Sequence, residues 1–166
     1  MKRRINVRLI VWLIVAIALL AAVPSSLRYA QQHGGFYMLS DAFFQDLPKR
    51  LKGPGRFRFV MQPAVAIFLG FRTGKADAMA GRPPYILGML SGTVHRLAAL
   101  KEAFAELATL IAVAILLDIV SQFLILRQVF PGAALAVGPV LIAIPYSISR
   151  ALSNRIASRK LTHTSH

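Results

Sequence analysis

Leu107-Ala-Thr-Leu-Ile-Ala-Val-Ala-Ile-Leu-Leu-Asp-Ile-Val-Ser-Gln-Phe-Leu-Ile-Leu126 runs for twenty residues and carries one charge, Asp118. At a helical rise of about 1.5 Å per residue it reaches about 30 Å, the thickness of a bilayer's hydrocarbon core. Its apolar residues occupy every face of the helix, whereas a soluble surface helix keeps them to one stripe. Such a helix needs either a large protein interior or lipid around it, and 166 residues make an interior of single-domain size. The segment therefore reads as a membrane span, over about residues 105–126.

Outward from it, the same pattern recurs. Leu9 to Val23 is uncharged, follows Met1-Lys-Arg-Arg4 and Arg8, and meets Pro24-Ser25-Ser26; with Ile5 and Val7 it suits a span over 5–23. A basic start and an apolar core also describe a signal peptide. The length of the run, and Arg28 at the minus-three position of a cut after Ala30, favour an uncleaved anchor. Ala133 to Ile148 makes another span, over 131–148, with Pro139 and Pro145 as expected kinks. A basic tail follows over 149–166. There Ile148, Leu152 and Ile156 fall four apart, so the last helix should run on amphipathically. Val60 to Phe71 is apolar apart from Gln62 but short, between Arg58 and Arg72. It fits either a short span over 57–72 with snorkelling arginines or a re-entrant helix.

Between the first two apolar blocks, Phe36, Leu39, Phe43, Phe44, Leu47 and Leu51 recur at helical steps, with Lys49, Arg50 and Lys52 at the end. This pattern predicts either a helix lying in the membrane interface, its cations among headgroups, or a loop helix packed on the spans. Gly53-Pro54-Gly55 breaks it, and Gly81-Arg-Pro-Pro-Tyr85 ends the helix after it. The expected fold is all-α: a polytopic membrane helix bundle of about four spans plus an interfacial amphipathic helix, in one membrane domain.

Composition agrees. The chain is 56% hydrophobic, with mean hydropathy +0.58 and 20 Lys plus Arg against 6 Asp plus Glu, a net charge of +14. Basicity alone would also suit nucleic acid, but uninterrupted apolar runs would not; anionic lipid is the expected partner. Lys49, Arg50, Lys52, Arg56, Arg58, Arg72, Lys75 and Arg82 are the cations expected to meet headgroups or other anions. With no cysteine, disulfides, thiolate metal sites and cysteine nucleophiles are excluded. Four spans with an inner N-terminus leave thirteen of the twenty cations inside; three spans with the same start would leave five, against the positive-inside rule, and three spans with an outer N-terminus would leave fifteen but must translocate Lys2, Arg3 and Arg4. Both termini are therefore expected in the cytoplasm.

Few residues suggest chemistry. Asp118 inside a span must be paired, protonated or wet, and Ser121 and Gln122 share its face at i+3 and i+4. A proton or cation relay, or a contact point for a partner's buried arginine, is one reading. An interhelix bond, to Gln62 or Tyr146, is the favoured one, since a transporter usually shows more than one intramembrane ionisable group. Lys75-x6-Arg82-Pro83 matches the opening element of the phosphatidic-acid phosphatase superfamily. That match implies a phosphate held by two cations and attacked by a histidine. Leu90-Ser-Gly-Thr-Val-His95 lacks a His directly after its Gly, however, and Ser149-Arg150 is followed by no His at the required distance and no Asp. The covalent route then has no nucleophile, and the match reads as chance. His95, Glu102 and Glu106 share a helical stripe but spread over too great a length for one metal ion, about 10 Å between the first two. No metal or cofactor is expected. Gly70-x3-Gly74, Gly88-x3-Gly92 and Ala108-x3-Ala112 place small residues one turn apart, which lets helices approach closely within the chain or between chains.

The stretch Arg56 to Tyr85, with Gln62-Pro63, Leu69-Gly70, Arg72, Gly74, Asp77-Ala78 and Gly81-Arg-Pro-Pro-Tyr85, resembles small uncharacterised bacterial polytopic inner-membrane proteins. The resemblance covers under a fifth of the chain and implies a bacterial cytoplasmic membrane, with no activity attached. The functional expectation is a non-catalytic membrane component: an accessory, scaffold or assembly subunit packing against other subunits or itself. A small transporter or channel using Asp118 and a lipid-phosphate phosphatase using Lys75 and Arg82 are the alternatives.

Overall fold

A computed structural model of the protein describes residues 7–82 and 96–164, with backbone alone at 96–100, 102–103 and 161–164. Among the described residues every regular element is helical. Helix α1 is Val7–His33, a short 3-10 turn is Tyr37–Leu39, α2 is Asp41–Lys52, α3 is Arg58–Met79, α4 is Arg96–Leu126 and α5 is Pro131–Thr164. Three of these are long and apolar enough to cross a membrane: α1, Phe104–Leu126 of α4 and Pro131–Lys160 of α5, with mean hydropathies of 2.5, 2.4 and 1.7. They point to a membrane location for an all-helical chain. Helix α3 has 22 residues but is diluted by Arg58, Gln62, Arg72, Lys75 and Asp77, so the count by length and apolarity is three.

One helix outruns its expected end, and the last runs on past the apolar stretch as expected. Helix α1 passes through Pro24 and continues to His33. A proline in mid-helix loses one backbone hydrogen bond and crowds the preceding turn. The next residue ties this part of the helix to the turn after α4, Ser25 Oγ lying 2.7 Å from the Ala22 carbonyl and 2.5 Å from that of Val129. Gly34, at φ +68°, then ends the helix in the left-handed conformation that glycine adopts at least cost. Helix α5 starts on Pro131, whose missing N–H has no helical partner at that position anyway, and runs unbroken through Pro139 and Pro145.

The chain divides into two compact units, one of Met1–Phe59 with Thr109–Val140 and one of Val60–Ala108 with Leu141–His166. In the first, Tyr37, Phe130 and Ala133 form a buried cluster. The Tyr37 and Phe130 rings stack at 3.8 Å, and Tyr29 meets both edge-on, at 5.5 and 5.2 Å. The edge-on contacts have the geometry that aromatic quadrupoles favour. Gly138 brings α5 against the α4 backbone, where an added Cβ would meet Ala114 and Ile115. Only 11% of the most apolar window of α1 is buried, against 39% for α4. Leu9, Leu13, Ile14, Ile17 and Leu20 are exposed, so α1 presents most of its surface to the surrounding medium, and that surface suits acyl chains.

Helix α2 corrects the expected amphipathic face. Phe36, Leu39, Phe44 and Leu51 are exposed, whereas Tyr37 and Arg50 are buried and Phe43 and Leu47 half-buried. The inward face thus combines Arg50 with Ala42, Phe43 and Leu47, beside Tyr37 of the preceding turn, and the exposed aromatics suit an interfacial position.

In the second unit α3 and α5 run parallel. Ser149 Oγ donates to the Ile67 carbonyl at 2.6 Å, and Asn154 Nδ2 donates to the Arg82 carbonyl at 3.1 Å. Between those points Gly70 and Gly74 lie directly on the α5 backbone at Tyr146 and Arg150, where no Cβ would fit. The small-residue face of α3 is therefore filled by this chain's own helix. Ala108 of α4 is likewise buried in this unit, and Ala112 is buried in the first. Gly88 and Gly92 lie outside the described residues.

Candidate functional site

Two buried charge clusters, one in each unit, are the strongest candidates for function. The first centres on Asp118, which α4 places with 1% of its surface exposed. The start of α3 brings Arg58, whose Nη1 is 2.5 Å from Asp118 Oδ1 and also donates to the Leu117 carbonyl at 3.2 Å. The end of α2 brings Arg50, with Nη1 3.6 Å from Oδ2. Gln122, one turn along α4, donates to the same Oδ2 at 2.6 Å and accepts the Phe130 backbone N–H at 2.8 Å. One side chain thereby ties the carboxylate to the turn between α4 and α5. Ser121 is buried on the same helix, its hydroxyl against Gly55.

Both arginines correct the expectation of headgroup contact, for they are fully enclosed, at 0% and 1% exposure. Distance along the sequence concealed their partner. Charges buried so deeply persist only when paired, and Asp118 meets that requirement for both. The Arg50 nitrogens make no hydrogen bond among the described residues. Its cation is held instead by charge and by aromatic faces, Tyr37 at 5.8 Å and Phe43 at 5.6 Å, while Arg58 lies 4.7 Å from the Phe59 ring. Such cation–π contacts stabilise desolvated guanidinium groups by about 2 kcal/mol at most sites of this kind. Two cations against one carboxylate leave the centre positive, and Asp46 nearby offsets part of the excess.

Asp46 accepts from Tyr37 Oη at 2.8 Å and from Lys49 Nζ at 2.8 Å. Burial pushes the Tyr37 phenol up to about 12, with the Asp46 hydrogen bond acting the same way. The phenol therefore stays protonated and donating through the physiological range. Burial opposes the Asp46 charge, but the Lys49 and Tyr37 hydrogen bonds and the neighbouring cations outweigh it and hold the carboxyl below its usual value.

The second cluster was not foreseen as a unit. Asp77 of α3 accepts from Arg150 Nε at 2.7 Å, and both side chains are buried. Arg150 Nη1 donates to Tyr146 Oη at 3.1 Å, and that hydroxyl donates to Glu106 Oε2 at 2.6 Å. Thr73 donates to the other Glu106 oxygen at 2.7 Å, so the chain of bonds joins α3, α4 and α5. Arg82 Nη1 lies 3.4 Å from Asp77 Oδ1. The Tyr146 hydroxyl is thus committed to Glu106, and the Gln62 amide, although buried, has no hydrogen-bond partner among the described residues. The expected bond from Asp118 to Tyr146 or Gln62 is replaced by the arginine pair, because a guanidinium gives a carboxylate charge as well as donors. Asp118 is also not the lone buried acid that the sequence suggested.

The remaining candidates fall outside both clusters. Lys49 is exposed beside Asp46, and Lys52, Arg56, Arg72 and Lys75 are exposed, where headgroups could reach them. His95 and Pro83 lie outside the described residues, as does the Glu102 side chain. Among the described residues no group of three His, Asp or Glu could hold a metal ion. Ion pairs to Arg58 and Arg150 tie Asp118 and Asp77 to neighbouring helices. Compared with known proteins, the chain matches no family model, no curated protein and no solved structure.

Proposed function

We propose that the protein is a non-catalytic, multi-pass component of a bacterial cytoplasmic membrane, an accessory, scaffold or assembly subunit of a larger membrane complex. The observation that carries this reading is the enclosure of Asp118 by Arg58, Arg50 and Gln122. A relay carboxylate must exchange protons or cations with water, whereas this one is committed on both oxygens to fixed partners. Arg82, which a lipid-phosphate enzyme would need as a phosphate ligand, stands beside Asp77.

Four spans with both ends in the cytoplasm remain the favoured arrangement. The parallel course of α3 against α5, with polar groups of α3 bonded across, gives a helix of modest apolarity a protein neighbour in place of lipid. Thirteen cations then lie inside, as the positive-inside rule favours. Extraction of the native membrane in gentle detergent, followed by mass spectrometry of what travels with the full chain, tests the accessory role. Stoichiometric recovery with other membrane subunits is expected. Recovery only as a lone monomer at every detergent strength would contradict it.

A further inference from the structure

An open groove with a volume of about 810 Å³ lies between the second half of α1 and the end of α4, within the first unit. Its lining changes character in the same direction along both helices. Ala18, Ala21 and Ala22 on α1 and Ile119 and Phe123 on α4 form an apolar stretch; one to three turns further on, Arg28 and Arg127 stand at the polar end. Ala18 to Arg28 is ten residues, about 15 Å at helical rise, which is one leaflet's depth of hydrocarbon. Among the described residues neither arginine has an acidic partner, and both are exposed. Arg127 adopts φ +56° as it ends α4, a conformation costly for any residue with a Cβ.

We propose that this groove binds one anionic phospholipid, with its phosphate between Arg28 and Arg127 and an acyl chain along Ala18, Ala22, Ile119 and Phe123. The match is of charge and of order: an apolar slot one leaflet deep, opening at its polar end on two uncompensated guanidinium groups, whose forked donors suit phosphate oxygens. Lys49 and Lys52 lie on α2, outside this lining. This assignment rests on the membrane location alone and not on the accessory role, so either can fail without the other.

The test uses the full chain purified in a mild detergent with added phosphatidylglycerol or phosphatidylcholine, read by native mass spectrometry. The wild type should retain one phosphatidylglycerol per chain and little phosphatidylcholine. The double variant Arg28→Gln with Arg127→Gln should bind phosphatidylglycerol about thirty-fold more weakly, since each headgroup-level cation contributes a factor of about five. Lys49→Gln with Lys52→Gln should leave the bound lipid in place. Ala21→Phe, at an exposed position in the slot, should also displace it with both arginines intact. Equal retention by the wild type and the Arg28/Arg127 variant would overturn the proposal. So would equal retention of the two lipids, or displacement of the lipid by millimolar inorganic phosphate alone.

Discussion

Asp118→Ala is expected to destabilise the folded protein by about 3–5 kcal/mol, the usual cost of breaking a buried ion pair from one side. The loss arises from what remains. Arg58 would keep one hydrogen bond to the Leu117 carbonyl, and Arg50 would keep its aromatic faces and the more distant Asp46, so two enclosed cations would lose their direct anion. Gln122 would also lose the acceptor that fixes its amide against Phe130. Arg50→Met should behave differently. It removes the surplus cation and leaves the shorter Arg58–Asp118 contact, so no enclosed charge loses its partner and its cost should be well below that of Asp118→Ala. Reversible unfolding in mixed micelles measures both. Equal costs for the two variants would mean that the cluster is not organised around the carboxylate.

Gly74→Leu is expected to be the most damaging single substitution in the second unit. A Cβ at this position would collide with the Arg150 carbonyl and with Ser153 Oγ, and a backbone carbonyl cannot swing aside as a side-chain tip can. Helix α3 would have to retreat from α5, and Asp77 lies three residues further along α3. Its 2.7 Å bond from Arg150 Nε and the contacts through Tyr146 to Glu106 depend on that approach. Overpacking costs about 1–3 kcal/mol, and loss of the buried pair about 3–5 kcal/mol more, so the unit should fail to fold stably. Gly34→Ala is the appropriate contrast. Nothing lies within 4 Å of its added Cβ, and its φ of +68° makes the cost backbone strain alone, about 1–2 kcal/mol. Yield and thermal stability in detergent should rank the wild type first, then Gly34→Ala, with Gly74→Leu far below.

The division between what could and could not be read from sequence follows the range of the interactions. Leu107 to Leu126, Leu9 to Val23 and Ala133 to Ile148 were legible because apolarity on every face of a helix is a local property. The shared face of Asp118 and Gln122 was legible for the same reason, since i and i+4 are neighbours on any helix. The partners of Asp118 were not, because Arg50 and Arg58 reach it through a break at Gly53-Pro54-Gly55 and across to another helix. Arg150 and Asp77 are 73 residues apart, and nothing local distinguishes Arg150 from Arg155 in the tail.

One signal could have narrowed the choice. With 6 acids among 20 cations, each acid next to an apolar run is the scarce partner that any buried arginine must find. Asp77, Glu106 and Asp118 all meet that description. Proline misled in the other direction: Pro24 looked like a stop, but α1 runs through it to His33.

Whether α3 crosses the membrane is the point on which the four-span arrangement, the cytoplasmic termini and the enclosure of both clusters in the bilayer all depend. The chain has no cysteine, so single cysteines introduced at Gly35, Lys75 and Arg155, all exposed, can be labelled one at a time. A membrane-impermeant maleimide should label Gly35→Cys in intact cells, and Lys75→Cys and Arg155→Cys only after the membrane is opened. Labelling of Gly35→Cys and Lys75→Cys from the same side would contradict the account, because α3 would then begin and end on one face of the bilayer.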